Sequence, residues 1–192
     1  MIKAVIFDCF GVLVTEGWEP FLHKYLHGQT QKLNQAHKLG EQLNLGQITY
    51  NQFIDQTADL AGVTSEVARS FIDKNLANTP LFDHAFQELK GTYKIGMLSN
   101  AGDNWLEMMF TPQQLQLFDD IVLSYKVGII KPNPEIYQLS AKRLGVEVGE
   151  CVLVDDSARH VAGALATGMQ AILYKDFDQM RRELEALLTS VA

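Results

Sequence analysis

Residues 1–14 read MIKAVIFDCFGVLV, and the apolar run from Ile2 to Phe7 that stops at Asp8 decides the fold class. A short, β-branched apolar run with a charge at its end has the pattern of a buried parallel strand. In open α/β sheets, ligands lie just outside the carboxyl ends of such strands, so Asp8 is offered to a crevice rather than to the core. Gly11 follows three residues later. Phe10 stands two residues after Asp8, where a second carboxylate would supply an acid/base partner.

Working outward, four more runs have strand character: Tyr93–Leu98, Asp120–Leu123, Cys151–Val154 and Gln170–Tyr174. Helical patterns over Phe82–Leu89, Pro134–Leu144, Val161–Thr167 and Phe177–Leu188 separate or follow them. This alternation predicts an α/β fold, a Rossmann-like parallel sheet with helices on both faces. The stretch from Trp18 to Thr79 holds no strand-like run and breaks near Gly28, Gly46 and Gly62. Thr64 has the position of an N-cap, with Val67 leading into Phe71. The expectation is a small all-helical cap (residues 16–79) inserted after the first strand, above a core made of residues 1–15 and 80–192.

With 192 residues, 47% of them hydrophobic and 20% charged, the chain can bury one ordinary core and is not disordered. A net charge of −7 and a pI near 5.2 weigh against nucleic-acid and membrane-surface partners. Cys9 and Cys151, each inside an apolar run, offer neither a disulfide framework nor a C-x-x-C metal pattern. One lysine and a run broken by Asp8 do not make a secretory signal. No segment reaches the ~20 apolar residues of a membrane span, so a cytoplasmic location is expected.

Four polar groups fall at or beyond strand ends: Asp8, Ser99-Asn100, Lys131 before Pro132, and Asp155-Asp156. In a parallel sheet these ends share one edge, where the four can converge. Three carboxylates brought together repel one another unless a cation lies between them, and all-oxygen ligation suggests Mg²⁺. A hydroxyl, an amide and a lysine beside that cation suit a phosphate dianion. Taken singly, each has a plainer reading: Ser99-Asn100 as turn chemistry, Lys131 as a solvated lysine, Asp155-Asp156 as the cap of the next helix. Cys9 is expected to pack in the core. His160 reads as an exposed helix residue.

The segments FDCFGVL, LSN, VGIIKPNPEIY and VLVDDSARHVAGALATGM stand in the order of the four motifs of the haloacid dehalogenase superfamily, which this chain resembles over nearly its whole length. LGQITYNQF is similar to a cap-helix segment of the group with a helical cap. The resemblance implies that Asp8 is a nucleophile taking up a phosphoryl group. It also implies that Mg²⁺ is held by the Asp8 side chain, the backbone carbonyl of Phe10 and Asp156, with Asp155 joining directly or through water. Ser99, Asn100 and Lys131 would bind the phosphoryl group, with Asn100 also orienting the loop. The expected activity is a phosphatase for a small phosphorylated metabolite, with His23, Lys24, His27, Lys32 and Lys38 available as polar cap contacts.

Phe10 departs from the family pattern, because most of its phosphatases carry there an aspartate that protonates the leaving group and then activates water. Such help is worth ~10²–10⁴ in rate. Two alternatives follow: a catalytically impaired ligand-binding or interaction protein, and a metal-independent 2-haloacid dehalogenase, which carries an aromatic at this position. Retention of both Asp155 and Asp156, and the absence of any arginine before Arg69, speak against the dehalogenase.

Overall fold

Strand β1 (Ala4–Phe7) is buried along its whole length and forms the centre of the sheet. The computed structural model describes residues 1–189. After β1 the chain leaves the sheet for four helices: α1 (Trp18–Leu26), α2 (Thr30–Asn44), α3 (Tyr50–Ala61) and α4 (Ser65–Ile72). It returns through α5 (Thr79–His84), prolonged by a π turn over Ala85–Leu89, into β2 (Lys94–Ser99). Two short helices, α6 (Leu106–Met109) and α7 (Pro112–Leu115), precede β3 (Asp120–Leu123), and α8 (Ser124–Val127) and α9 (Pro134–Leu144) follow it. The chain closes with β4 (Cys151–Asp155), α10 (Ala158–Ala166), β5 (Gln170–Leu173) and α11 (Phe177–Thr189). Among the described residues no helix is long and apolar enough to cross a membrane.

The five strands are parallel in the order β3-β2-β1-β4-β5. The order reverses direction between β1 and β4, so the switch point lies where Asp8 and Asp155 end their strands. That crevice is where an α/β sheet of this kind accepts ligands.

Alternation along the strands builds two separate core layers. Val5, Phe7, Ile95, Met97 and Val154 face α5 and α11, meeting Leu81, Phe82, Met180 and Leu184. Ala4, Ile6, Leu98 and Leu153 face α9 and α10, meeting Ile136, Tyr137, Leu144 and Ala164. Full burial of each large apolar side chain contributes about 1.5–3 kcal/mol, so the strands' apolar runs hold both helical layers in place.

The four inserted helices have a core of their own, built on Phe21, Leu22, Leu26, Phe53 and Ile54. Their ends follow local chemistry. Thr49 and Gln52 form a reciprocal capping box at the start of α3, and the Thr64 hydroxyl accepts from Val67 N at the start of α4. The breaks foreseen at Gly28, Gly46 and Gly62 occur there, each with φ between 69° and 76°, a region that glycine enters without steric cost.

Entry to and exit from the insert run side by side. Thr15 N donates to Leu76 O at 2.9 Å, Val14 pairs with Ala77, and Asn78 N donates to Leu13 O at 2.8 Å. The far end of α2 also rests on the sheet edge. Ser124 Oγ donates to Asn44 O at 2.6 Å, and Leu43 sits so close to Gly102 that a Cβ there would come within 2.1 Å of Leu43 Cγ.

Candidate active site

The turn after β1 is wound around one carbonyl. Leu13 N and Val14 N both donate to Cys9 O, at 2.8 and 3.0 Å, while Gly11 N donates to Val14 O at 2.8 Å. Gly11 has φ of +80°, and a Cβ on it would lie 2.0 Å from Asp156 Oδ2. Conformation and space therefore both demand glycine, and they bring the Asp156 carboxylate against the loop that carries Phe10.

Asp8 is held to β4 by its backbone, Asp8 N donating to Val154 O at 2.9 Å. Its Oδ1 accepts from Cys9 N at 2.7 Å and from Lys131 Nζ at 2.8 Å. Lys131 Nζ also donates to Asp155 Oδ2 at 2.6 Å, and the side chains of Lys131 and Asp155 are wholly buried. A lysine with no exposure is uncommon unless paired, and here one ammonium bridges two strand-end carboxylates. Asn100 fixes where that lysine departs from the chain: its Oδ1 accepts from Lys131 N at 2.8 Å and its Nδ2 donates to Lys131 O at 3.1 Å. Its amide thus grips the backbone of Lys131 on both sides.

His160 is not the exposed helix residue that the sequence suggests. Because α10 begins at Ala158, His160 lies in its first turn and folds back over Asp155, with Nδ1 3.1 Å from Oδ1. The same oxygen accepts from Ser157 N at 2.9 Å. Asp8, Asp155 and His160 bring one ligand atom each to within 4.8 Å of one another.

The charges do not balance locally. Burial opposes ionisation of Asp155, yet Lys131 and His160 outweigh it and hold its carboxyl well below the usual range. Lys131 resists the effect of its own burial because Asp8 and Asp155 flank it, and it stays protonated. Asp8 is pushed well up by burial, and Asp155 and Asp156 add to that against the pull of Lys131. Asp156, although its side chain reaches solvent, is likewise raised by the crowded crevice and by Asp155. One ammonium among three carboxylates leaves an excess of negative charge that a divalent cation would neutralise.

Ser99 ends β2 with its Oγ buried and without a hydrogen-bond partner among the described residues, an unusual state for a hydroxyl in a native fold. It lines a small cavity with Phe10, Ala101, Asp103 and Trp105. Cys9, beside it, packs in the core as expected, and burial together with the charge of Asp8 pushes its thiol far up, away from nucleophilic use. Phe10 meets Trp105 edge-on at 5.4 Å between ring centroids, and Trp105 meets Tyr50 of the insert at the same distance. Trp105 lies outside every motif, and Tyr50, although inside the LGQITYNQF segment, carried no sign there that its ring would meet Trp105. The only hint was the position of Trp105 shortly after Ser99-Asn100.

The five cap residues considered as polar contacts are exposed, on α1, at His27 just past its end, and on α2. His23 packs on His27, and Lys24 covers the rings of Tyr25 and Phe71. The insert reaches the loop after Ser99-Asn100 with the ring of Tyr50, which meets Trp105.

A family model for haloacid dehalogenase-like hydrolases matches residues 2–168. The chain belongs to that family. Among proteins similar to this hydrolase, bifunctional epoxide hydrolase 2 of Sus scrofa is 30% identical over 213 residues, covering 96% of this chain but 38% of that protein. The hydrolase thus spans well under half of that relative's length. The D-ribitol-5-phosphate phosphatase of Bacteroides thetaiotaomicron is 25% identical over 207 residues, with 99% of this chain and 100% of that one covered. A solved HAD family enzyme of the same bacterium, in complex with magnesium and inorganic phosphate, shares the fold with a TM-score of 0.71. It is 24% identical over 94% of this chain and 99% of that chain.

Proposed function

We propose that this hydrolase is a Mg²⁺-dependent phosphatase for a small phosphorylated metabolite, working through an aspartyl phosphate on Asp8. The observation that carries the reading is the buried Lys131 bridging Asp8 and Asp155 within a cluster that still lacks positive charge. Relatives that are phosphatases and a similar fold that holds magnesium and phosphate support it.

Asp8, the Phe10 carbonyl and Asp156 would hold the ion, with Asp155 at its edge. When bound, Mg²⁺ neutralises charge that otherwise keeps a phosphate dianion away from a carboxylate. The remaining roles belong to the chain itself. Asp8 attacks phosphorus, and its orientation comes from Cys9 N and Lys131. Lys131 is a fixed point charge beside the transferring phosphoryl oxygens. The Ser99 hydroxyl, without a partner among the described residues, donates to one of those oxygens, and Asn100 positions Lys131 rather than the phosphate. His160 and Ser157 N hold the Asp155 carboxylate. Residues 1–15 and 80–192 form the catalytic core in this scheme, with residues 16–79 as the cap.

Phosphate release from a broad set of phosphorylated metabolites, with Mg²⁺ or with chelator, tests this reading. Metal-dependent release that Asp8→Asn abolishes is the expected result. The alternative, a binding protein that does not turn over, draws on Phe10. A folded protein that binds Mg²⁺ and phosphate but releases none from any ester would favour that alternative.

A further inference from the structure

We propose that His23 and His27 chelate one divalent ion of the later first transition series, such as Ni²⁺ or Zn²⁺, at the end of α1. The pair shares no residue with the Asp8 cluster, and the inference does not depend on the phosphatase reading.

The spacing comes first. His23 lies in the last turn of α1, and His27, four positions on, is its C-cap. Residues four apart stand one above the other on a single helix face. His27 leaves the helix only at its ψ of 131°, while its φ of −54° keeps its side chain on the helical path. Both residues are exposed, and their ring centres are 5.0 Å apart with the planes inclined by 49°.

That separation is the one a shared ion requires. Two imidazoles bound to one ion at about 2.1 Å, at roughly 90–110° to each other, have ring centres ~4.6–5.3 Å apart. An exposed imidazole turns about its last side-chain bond at little cost, so either nitrogen can be brought to the ion. Water completes the coordination.

The surrounding charge also favours a cation. His27 closes α1 at its C-terminal end, where the carbonyls concentrate negative partial charge. Glu19, exposed one turn before His23, adds a carboxylate to the same helix face. The neighbouring Lys24 has its ammonium over the rings of Tyr25 and Phe71, 5.0 and 4.9 Å from their centres. Imidazole nitrogen suits Ni²⁺, Cu²⁺ and Zn²⁺, whereas Mg²⁺ and Ca²⁺ prefer oxygen and gain little here. A bound ion would tie the last turn of α1 to the turn at Gly28 that leads into α2. Through Phe21, Leu22 and Leu26, α1 anchors the core of the insert, so the ion would brace that layer.

Titration calorimetry of the tag-free, Mg²⁺-loaded chain with Ni²⁺, and thermal unfolding with and without Ni²⁺, test the proposal. One Ni²⁺ per chain is expected at this pair. His23→Ala and His27→Ala should each weaken it by at least ~10²-fold, because linking two contacts raises avidity by ~10²–10⁴. Ni²⁺ should raise the thermal midpoint of the wild type and of neither variant. His37→Ala, at another exposed histidine, should keep the binding. An ion that enters the crevice instead is told apart by Asp8→Asn, which should remove that ion and spare the one at the pair.

Undiminished Ni²⁺ affinity in both histidine variants would overturn the proposal and leave His23 and His27 as packed rings alone. Loss of all Ni²⁺ binding in Asp8→Asn would place the ion in the crevice and overturn it as well. Half an ion per chain would replace the chelate within one chain by a bridge between two copies, which also overturns it. None of these results touches the phosphatase reading.

Discussion

The carboxyl edge of the sheet and the helical insert above it solve different problems with different chemistry. At the edge, Asp8, Lys131 and Asp155 are charged groups with almost no exposure, held by short hydrogen bonds between strand ends. In the insert most charged groups are exposed, Glu16 and Arg69 being the half-buried exceptions, and the ring of Tyr50 reaches Trp105. A transferring phosphoryl group needs charges set in place before it arrives, and strand ends provide that rigidity. An inserted layer can vary its surface without disturbing the strands. The two layers thus divide buried, paired charge from exposed polar surface and one ring contact.

The sharpest way to break that division is Asp8→Asn, which should remove phosphate release to the limit of detection while the protein still folds; release that survives would sink the mechanism. Next in size is Lys131→Met. It strands two buried carboxylates, and the expected loss of stability is about 3–5 kcal/mol by urea unfolding. A loss below ~1 kcal/mol would mean that Asp8 and Asp155 find other partners.

Gly11→Ala has a smaller, local effect. A side chain at φ +80° that also meets Asp156 Oδ2 should cost ~1–2 kcal/mol and weaken Mg²⁺ binding as Asp156 is displaced, measurable by titration calorimetry. Unchanged metal affinity would detach Asp156 from the ion. Tyr50→Leu should cost more than the about 0.5–1.5 kcal/mol of its edge-on pair with Trp105, because the Tyr50 hydroxyl also bonds Asp73 and its ring packs on Phe53 and under Arg69. No change in unfolding would show that the contact does not couple the two layers.

The mildest effect concerns Glu16, at the entrance to the insert. Burial pushes its carboxyl from 4.5 up to about 7, and Glu19 and Asp156 add to the rise, while the backbone N–H groups of Glu19 and Trp18 oppose it. The unfolded chain ionises this group more readily than the folded one. Its unfavourable contribution is therefore absent below pH ~4.5, grows as the pH rises, and is complete above pH ~7. Glu16→Gln should flatten the decline in thermal midpoint between pH 5 and 8. An unaltered slope would assign the decline to the Asp8 cluster instead.

Much of this was legible in the chain. The five strands fall where apolar runs end in polar residues, with boundaries moved by at most two residues, since burial on both faces leaves a parallel strand few other sequences. Asp8, Lys131 and Asp155 could be placed because strand ends on one edge must be neighbours. The helices α6, α7 and α8 escaped notice: four residues each hold too little periodicity to read. His160 was misjudged because its part depends on where α10 starts relative to Asp155, a matter of one helical turn. The aromatic contacts of Trp105 with Phe10 and with Tyr50 join residues 95 and 55 positions apart, and no local pattern announces them.

By itself, then, the sequence determined the α/β alternation, the helical insert after the first strand, and the set of polar groups offered at strand ends, because periodicity and strand termini are local properties written in adjacent residues. Only the tertiary structure decided which groups touch. Lys131 lies between Asp8 and Asp155, His160 rests on Asp155, and Tyr50 of the insert meets Trp105, because these contacts follow from strand order, helix docking and charge balance across the whole chain.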